Sequence, residues 1–201
     1  MHQVSSTLRS DALLHAWRHP RVGGAQGRCI GTTDLPVDLR KARRLARRIH
    51  AQARRLKLPR QVVTGSLHRS RAVGQALRRL GWVHHVDHQL NEASFGAWDG
   101  LTWAQIDKDA IDRWVGAFLH HRPGGGDSAA QMIDRVRRWQ PPAGCRVLVT
   151  HGGWLSAARC LAQGLAMQCT AAQWPTAPGH GCHLALDPAA LWPDRQEMSI
   201  L

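Results

Sequence analysis

A run of apolar and half-apolar residues from Leu13 to Trp17 ends in Arg18, His19 and Pro20. A continuous apolar run of this length is typical of a strand that is covered on both faces of a sheet. Proline has no N–H for a central strand and disfavours the helical conformation in the residue before it, so the strand should end near His19. Because open α/β sheets bind ligands at the carboxyl ends of their strands, Arg18 and His19 are expected at a binding edge.

Segments that favour strands alternate with segments that favour helices along the rest of the chain. Asp38 can cap a helix with an apolar face from Leu39 to Leu56, and Pro59 should end it. Capping boxes are expected at Thr102–Gln105 and Ser128–Gln131. The further predicted elements are strands at 61–64, 83–88, 144–150 and 183–187, helices at 66–80 and 153–166, and a flexible connection at 122–127. The alternation predicts an α/β fold, a three-layer α/β/α arrangement with a mostly parallel central sheet.

The length of 201 residues favours a single domain, with residues 1–11 as a loosely ordered N-terminus. Five cysteines without a C-x-x-C pair suit reduced thiols in a cytoplasmic protein. No apolar run approaches the length of a membrane span, and no signal peptide is apparent. We therefore expect a protein that is neither exported nor bound in a membrane.

The formal net charge is +13 and is carried almost wholly by arginine. This excess indicates anionic partners or reflects an arginine-rich proteome, and composition alone leaves both open. One face of the predicted helix 39–57 is basic, which could be a stripe that binds nucleic acid. No interleaved aromatic residues or zinc spacing accompany it, so a solvated outer face is the favoured interpretation.

Five blocks in register carry a family resemblance. They are Arg18-His19, Gly27–Gly31, Ser66–Arg71, Leu90–Gly100 and Val147–Gly153. In this order and spacing the chain resembles the histidine phosphatase superfamily, the phosphoglycerate-mutase-like proteins. Within that superfamily it is most similar to the branch that contains α-ribazole phosphatase of cobalamin assembly. The resemblance runs from about Leu13 to about Leu186 and implies the same α/β fold.

The resemblance also implies roles for individual residues. His19 would be the nucleophile that forms a phosphohistidine, and Glu92 the general acid. Arg18, Arg69 and a protonated His151 would complete the catalytic set and hold the phosphoryl oxygens. Arg28 and the backbone at Gly152 would add to the substrate-binding site, with helix N–H groups behind Gly152 facing the anion. The expected partners are a small phosphorylated metabolite and the product inorganic phosphate, and no cofactor or metal is expected.

The chain also departs from the family pattern. Pro20 stands where a glycine is usual, Ala25 where an asparagine is often found, and Ser156 where relatives often place arginine. None of these changes touches the five catalytic residues. They weaken any inference about one particular substrate.

Three functions remain open on the residues. The first is a metal-independent phosphomonoesterase, with α-ribazole 5′-phosphate or a cobalamin-precursor phosphate as substrate. The second is a mutase-type phosphotransferase, although the chain lacks the longer inserts of such enzymes. The third is a catalytically silent protein that binds a polyanion through the basic helix. The complete five-residue set favours the phosphomonoesterase.

Overall fold

The computed structural model describes residues 12–193, so the predicted loose N-terminus lies outside the described residues. The strands are β1 Leu14–Arg18, β2 Gln61–Thr64, β3 Val83–Val86, β4 Val147–Thr150 and β5 His183–Leu186. The α-helices are α1 Leu39–Arg55, α2 His68–Arg78, α3 Lys108–Gly116, α4 Ala129–Arg138, α5 Gly152–Ala162 and α6 Pro188–Leu191. Short 3₁₀ turns lie at His88–Leu90, Gly96–Trp98, Trp103–Gln105 and Pro123–Gly125.

The five strands form one sheet in the order β3-β2-β4-β1-β5. All neighbouring pairs are parallel except β1 with β5, which is antiparallel. The predicted mostly parallel α/β sheet is therefore confirmed. The first strand lies beside β4, with Arg18 paired to Thr150, so the two chain segments that follow these strands leave the sheet side by side.

Successive side chains of each strand point to opposite faces of the sheet, and each face has its own core. On one face Leu14, Ala16 and Leu148 pack with residues of α4, α5 and α6. On the other face Trp17 and Val149 pack with the apolar sides of α1 and α2. Helices thus cover both faces, as the alternating pattern predicts.

Two local expectations need correction. The segment 122–127 is not a flexible connection, because Arg122 donates hydrogen bonds to the carbonyls of Gly125 and Gly126 and closes it into a turn. A Cβ at Gly126 would lie only 2.1 Å from the carbonyl oxygen of Ser94, so this turn packs directly against the segment after Glu92. The predicted apolar face of α1 also begins later than expected, since the side chain of Leu39 is exposed.

The two predicted capping boxes are present at Thr102 and Ser128. The box at Ser128 opens α4, whereas the box at Thr102 opens a single 3₁₀ turn. No helix among residues 12–193 combines the length and apolar character that crossing a bilayer requires.

Candidate active site

The carboxyl ends of β1 and β4 bring two histidines together. The backbone N–H of His19 donates to the carbonyl of Thr150 at 3.0 Å, which continues the strand pairing by one residue. The ring centroids of His19 and His151 are 4.9 Å apart, and both side chains are buried. Residues 132 positions apart in the chain therefore share one site because their strands are neighbours.

The tautomer of His19 follows from its hydrogen bond. Its Nδ1 lies 2.8 Å from the carbonyl oxygen of Pro20, and because a carbonyl can only accept, Nδ1 must carry the proton. No described residue hydrogen-bonds to Nε2. Burial lowers the pKa of His19 well below its ordinary value, and the positive charge of Arg69 adds to this effect. The ring is neutral near pH 7, with an unprotonated Nε2.

Arg69 determines the tautomer of His151. The Nε of Arg69 donates to Nδ1 of His151 at 3.2 Å, so the neutral His151 ring keeps its proton on Nε2. That Nε2–H is buried and has no hydrogen-bond partner among the described residues. Burial, followed by the nearby His19 and Arg69, lowers the pKa of His151 well below its ordinary value. The sequence-based expectation of a protonated His151 is not supported, and the ring is a neutral donor.

Arg69 itself is almost completely buried, with 1% of its surface exposed. Its guanidinium donates to the carbonyls of Thr33 and Gly31. The loop that supplies these carbonyls is held by Asp99, whose carboxylate accepts hydrogen bonds from residues 31–33. Partial burial raises the pKa of Asp99, but the hydrogen bonds from Thr33, Gly31 and Thr32 outweigh this and lower it below its ordinary value. The positions of Arg69 and His151 therefore depend on a loop far from both in sequence.

Arg18 extends from the end of β1 beside the first turn of α5. Its Nη1 donates to the carbonyl of Pro178 at 2.9 Å, while its Nε is buried without a partner. A Cβ at Gly152 would lie 3.1 Å from the Cζ of Arg18, closer than side chains normally pack. Gly152 thus allows the guanidinium to lie against the helix backbone.

Glu92 lies at the N-terminus of α5. The N–H of Gly153 donates to both carboxylate oxygens of Glu92, at 2.9 and 3.1 Å. A Cβ at Gly153 would lie 2.3 Å from Oε1 of Glu92, so a larger residue there would displace the carboxyl group. The helix N–H at Gly153 was expected to face a phosphate, but in this structure it binds the carboxylate.

Arg28 is placed differently from the other cations of the predicted site. Its side chain is exposed at the rim of the cleft, where Nη1 donates to the carbonyl of Gly100 at 2.8 Å. His19, Arg18, Arg69, Glu92 and Gly152 line one cleft. His151 is fully buried beside it, in contact with His19 and Arg69. Arg28 borders the same cleft but is exposed, whereas the other predicted site residues are buried or half-buried.

The cleft has a volume of about 540 Å³, and aromatic side chains form much of its wall. Trp114 is central to this aromatic wall. It contacts Phe95 edge to face, stacks parallel to Trp103 at a centroid distance of 6.5 Å, and packs against Phe118. Phe118 in turn contacts Trp174. Four of these five residues come from the segment between Glu92 and α4, so this segment provides most of the aromatic wall.

Sequence reasoning missed His180, which lines the cleft with its ring centroid 5.3 Å from that of His19. Burial lowers the pKa of His180 to about 4, with Arg18, Arg21 and Arg69 adding to the effect. No family block covers this position, and among thirteen histidines nothing in the local sequence distinguishes it. Phe118 and Trp174 were also missed, because their contribution depends on how the segments pack. Among residues 12–193, no group of three or more His, Cys, Asp or Glu side chains could hold a metal ion.

A mostly parallel sheet that brings two buried histidines, the buried Arg69, the half-buried Arg18 and a glutamate to its carboxyl edge defines the class. The family model "Histidine phosphatase superfamily (branch 1)" matches residues 14–182, and the chain belongs to this superfamily. It is 34% identical over 144 residues to glucosyl-3-phosphoglycerate phosphatase of Mycobacterium tuberculosis, a match that spans 61% of each protein. The chain thus spans about three fifths of the length of this curated relative.

Two solved structures resemble this one over most of their length. "Mycobacterial hydrolase 1" has a TM-score of 0.68 and 26% identity, with 87% of this chain and 90% of the other covered. The native mycobacterial glucosyl-3-phosphoglycerate phosphatase has a TM-score of 0.65 and 25% identity, with 87% and 89% covered. These relatives are not described as α-ribazole phosphatases, so the superfamily is confirmed and the branch stays a prediction.

Proposed function

We propose that the chain is a phosphomonoesterase that works through a phosphohistidine on His19. One observation supports this most directly. The unpaired Nε2 of the neutral His19 belongs to a cleft that half-buried Arg18 and buried Arg69 also line, and the His19 ring contacts His151, whose Nε2–H is buried without a partner. A buried donor without a partner is costly, and a phosphoryl oxygen would satisfy it. The site therefore suits an anion placed directly in front of a nucleophile.

In the first step, the Nε2 lone pair of His19 attacks phosphorus and the bond to the leaving oxygen breaks. The proton stays on Nδ1 and keeps its hydrogen bond to the carbonyl of Pro20, which stabilises the positive charge that develops on the ring. Arg18, Arg69 and His151 bind the phosphoryl oxygens, where negative charge has to be neutralised. Pro20, which departs from the family pattern, keeps its carbonyl available for this role.

Glu92 supplies the proton that the leaving oxygen needs and then takes a proton from water. In the second step that water attacks phosphorus, the bond from phosphorus to Nε2 breaks, and inorganic phosphate leaves. The two hydrogen bonds from Gly153 hold the carboxyl group at the cleft. Glu92 protonated for the first step would keep one of these bonds through its carbonyl oxygen.

For the substrate, the aromatic wall supports a leaving group with a flat or apolar ring face, such as α-ribazole 5′-phosphate. Stacking on Trp and Phe side chains is favourable for such a ring. Glucosyl-3-phosphoglycerate is a second candidate, because curated relatives carry that name and Arg28 at the rim could pair with a glycerate carboxylate. Both candidates place a phosphate in the same pocket.

The activity is tested by trapping radiolabelled phosphate from a substrate on the purified protein. Acid-labile, base-stable label is expected in the wild type and absent in His19→Ala, and release of phosphate should continue fully in the presence of a chelator. Label that persists in His19→Ala would place the nucleophile elsewhere. A strict requirement for magnesium would contradict the metal-independent mechanism.

The substrate is tested by comparing kcat/KM for α-ribazole 5′-phosphate, glucosyl-3-phosphoglycerate and phosphoglycerate. Trp114→Ala should lower kcat/KM for the first substrate most, and Arg28→Gln should lower it for the two carboxylates most. No detectable release from α-ribazole 5′-phosphate would remove that substrate and leave the phosphomonoesterase proposal intact.

A further inference from the structure

A second concave surface lies next to the active-site cleft. It has a volume of about 510 Å³ and lies between α1 and the segment 179–181. We call it the basic groove and define it by Arg21, Lys41, Arg44 and Arg48, the four cations that line it without also lining the cleft. Arg18 and His180 border both the cleft and the groove, so the two sites are neighbours separated by these side chains.

The charges of the basic groove are not balanced by the protein. No Asp or Glu lines it, and α1 contains no acidic residue along its 17 positions. In the part of the chain that the structure describes, Lys41, Arg44 and Arg48 form no ion pair. These three residues follow each other at spacings of three and four, where like charges on a helix repel. An anion in the groove would relieve this repulsion.

The opposite wall of the groove is formed by Pro20 and by the segment 179–181, in which two of three residues are glycines. Gly179 and Gly181 contribute no side chains, and a Cβ at Gly181 would lie 3.6 Å from Nη1 of Arg48. Arg44 and Arg48 both line the groove, and no described residue hydrogen-bonds to either guanidinium. Arginine forks of this kind bind phosphate oxygens in pairs.

We propose that the basic groove is a second anion site, distinct from the phosphoryl pocket, for a ligand that carries two phosphate groups. One phosphomonoester group carries about −1.5 to −2 charges near pH 7. Four cations therefore match two such groups better than one. Anion binding in the groove does not require His19, so this proposal can be tested independently of the proposed hydrolysis.

The other arginines of α1 provide a matched control. Arg43 and Arg47 are exposed on the same helix but do not line the groove. A general attraction of polyanions to the helix would depend on these two residues as much as on Arg44 and Arg48. Specific binding in the groove would depend on Arg44 and Arg48 and not on Arg43 and Arg47.

The test uses inorganic pyrophosphate as the probe and the full chain. Calorimetric titration should show binding that weakens about tenfold or more in Arg44→Gln/Arg48→Gln and less than about threefold in Arg43→Gln/Arg47→Gln. Both variants remove two positive charges, so a difference between them reflects the position of the charges in the groove. Equal losses in the two variants would show only non-specific attraction and would overturn the proposal. Unchanged binding in both variants would place pyrophosphate in the phosphoryl pocket and would also overturn it.

Inhibition kinetics then decide whether the anion in the groove is part of the substrate or a separate molecule. If pyrophosphate inhibits hydrolysis of p-nitrophenyl phosphate competitively, and Arg44→Gln/Arg48→Gln relieves that inhibition, the groove extends the substrate site. If groove-bound pyrophosphate leaves the KM for p-nitrophenyl phosphate unchanged, the ligand is a separate molecule. Either result supports a site for a two-phosphate anion, and a failure of p-nitrophenyl phosphate hydrolysis itself would concern the proposed function only.

Discussion

The Nε of Arg69 donates to Nδ1 of His151 at 3.2 Å, and this contact leaves the only proton of the His151 ring on Nε2. The same guanidinium reaches the carbonyls of Thr33 and Gly31. One buried arginine thus contacts a distant loop and also decides which ring nitrogen of His151 carries the proton. These hydrogen bonds depend on the planar guanidinium group with its several N–H donors, which lysine lacks.

Arg69→Lys is therefore expected to lower kcat/KM by about 10²-fold or more, since several directed hydrogen bonds are lost although the charge remains. The measurement is steady-state hydrolysis of p-nitrophenyl phosphate. Arg71→Lys is the matched control, because Arg71 lies on the same helix with an exposed side chain. Comparable losses in the two variants would contradict a specific role for the Arg69 fork.

Glu92→Gln tests the general acid. Substrates with poor leaving groups should slow by about 10²–10⁴-fold, whereas aryl phosphates such as p-nitrophenyl phosphate should slow far less because a good leaving group needs little protonation. The rate constants of the first step are measured for both substrates under single-turnover conditions and compared. Equal losses for both substrate types would remove Glu92 from this role.

Gly153→Ala tests the position of Glu92. The added Cβ would lie 2.3 Å from Oε1, so the carboxyl group has to move. We expect the same dependence on leaving group as in Glu92→Gln, and the double variant should be no slower than Glu92→Gln alone. Gly116→Ala, at a helix position with no atom near the new Cβ, should leave kcat unchanged. A double variant with fully additive losses would show that Gly153 acts through something other than Glu92.

Acid should destabilise the fold through histidines whose pKa is lowered by burial, and the half-buried His183 is the clearest case outside the active site. Its ring lies 3.0 Å from Nδ1 of His15 and 3.0 Å from the side-chain amide of Gln52. Burial, with a contribution from His15, lowers the pKa of His183 from 6.5 to about 4. The unfolded chain therefore binds more protons in this interval, so stability is complete above pH 6.5 and is lost as the pH falls toward 4.

The measurement is the free energy of unfolding in urea between pH 7.5 and pH 4.5. His183→Gln should make its decrease with falling pH shallower, because one group with a lowered pKa is removed. His88→Gln is the control, since the side chain of His88 is 83% exposed. An unchanged pH slope in His183→Gln would show that His183 does not contribute to acid sensitivity.

Much of the fold could be predicted because it depends on local patterns. The alternation of strands with amphipathic helices predicts the α/β class, and Asp38 and Ser128 cap helices where the sequence indicates. The segment 122–127 was wrongly predicted to be flexible, and it shows the limit of prediction from local patterns. Glycines suit both flexible and tightly packed segments, and only the partner surface, here Ser94 and Gly96, decides between them.

By itself the sequence determined which residue types follow each strand and the order of the family blocks, because both are properties of short segments. Tertiary structure alone decided that β1 lies beside β4, which brings His19 to His151, and that Arg69 bonds to His151 and leaves it neutral. It also decided that Gly153 holds Glu92, and that His180 and the aromatic wall face the cleft. Strand order, tautomer and burial arise from contacts between segments far apart in the chain, which no local pattern encodes.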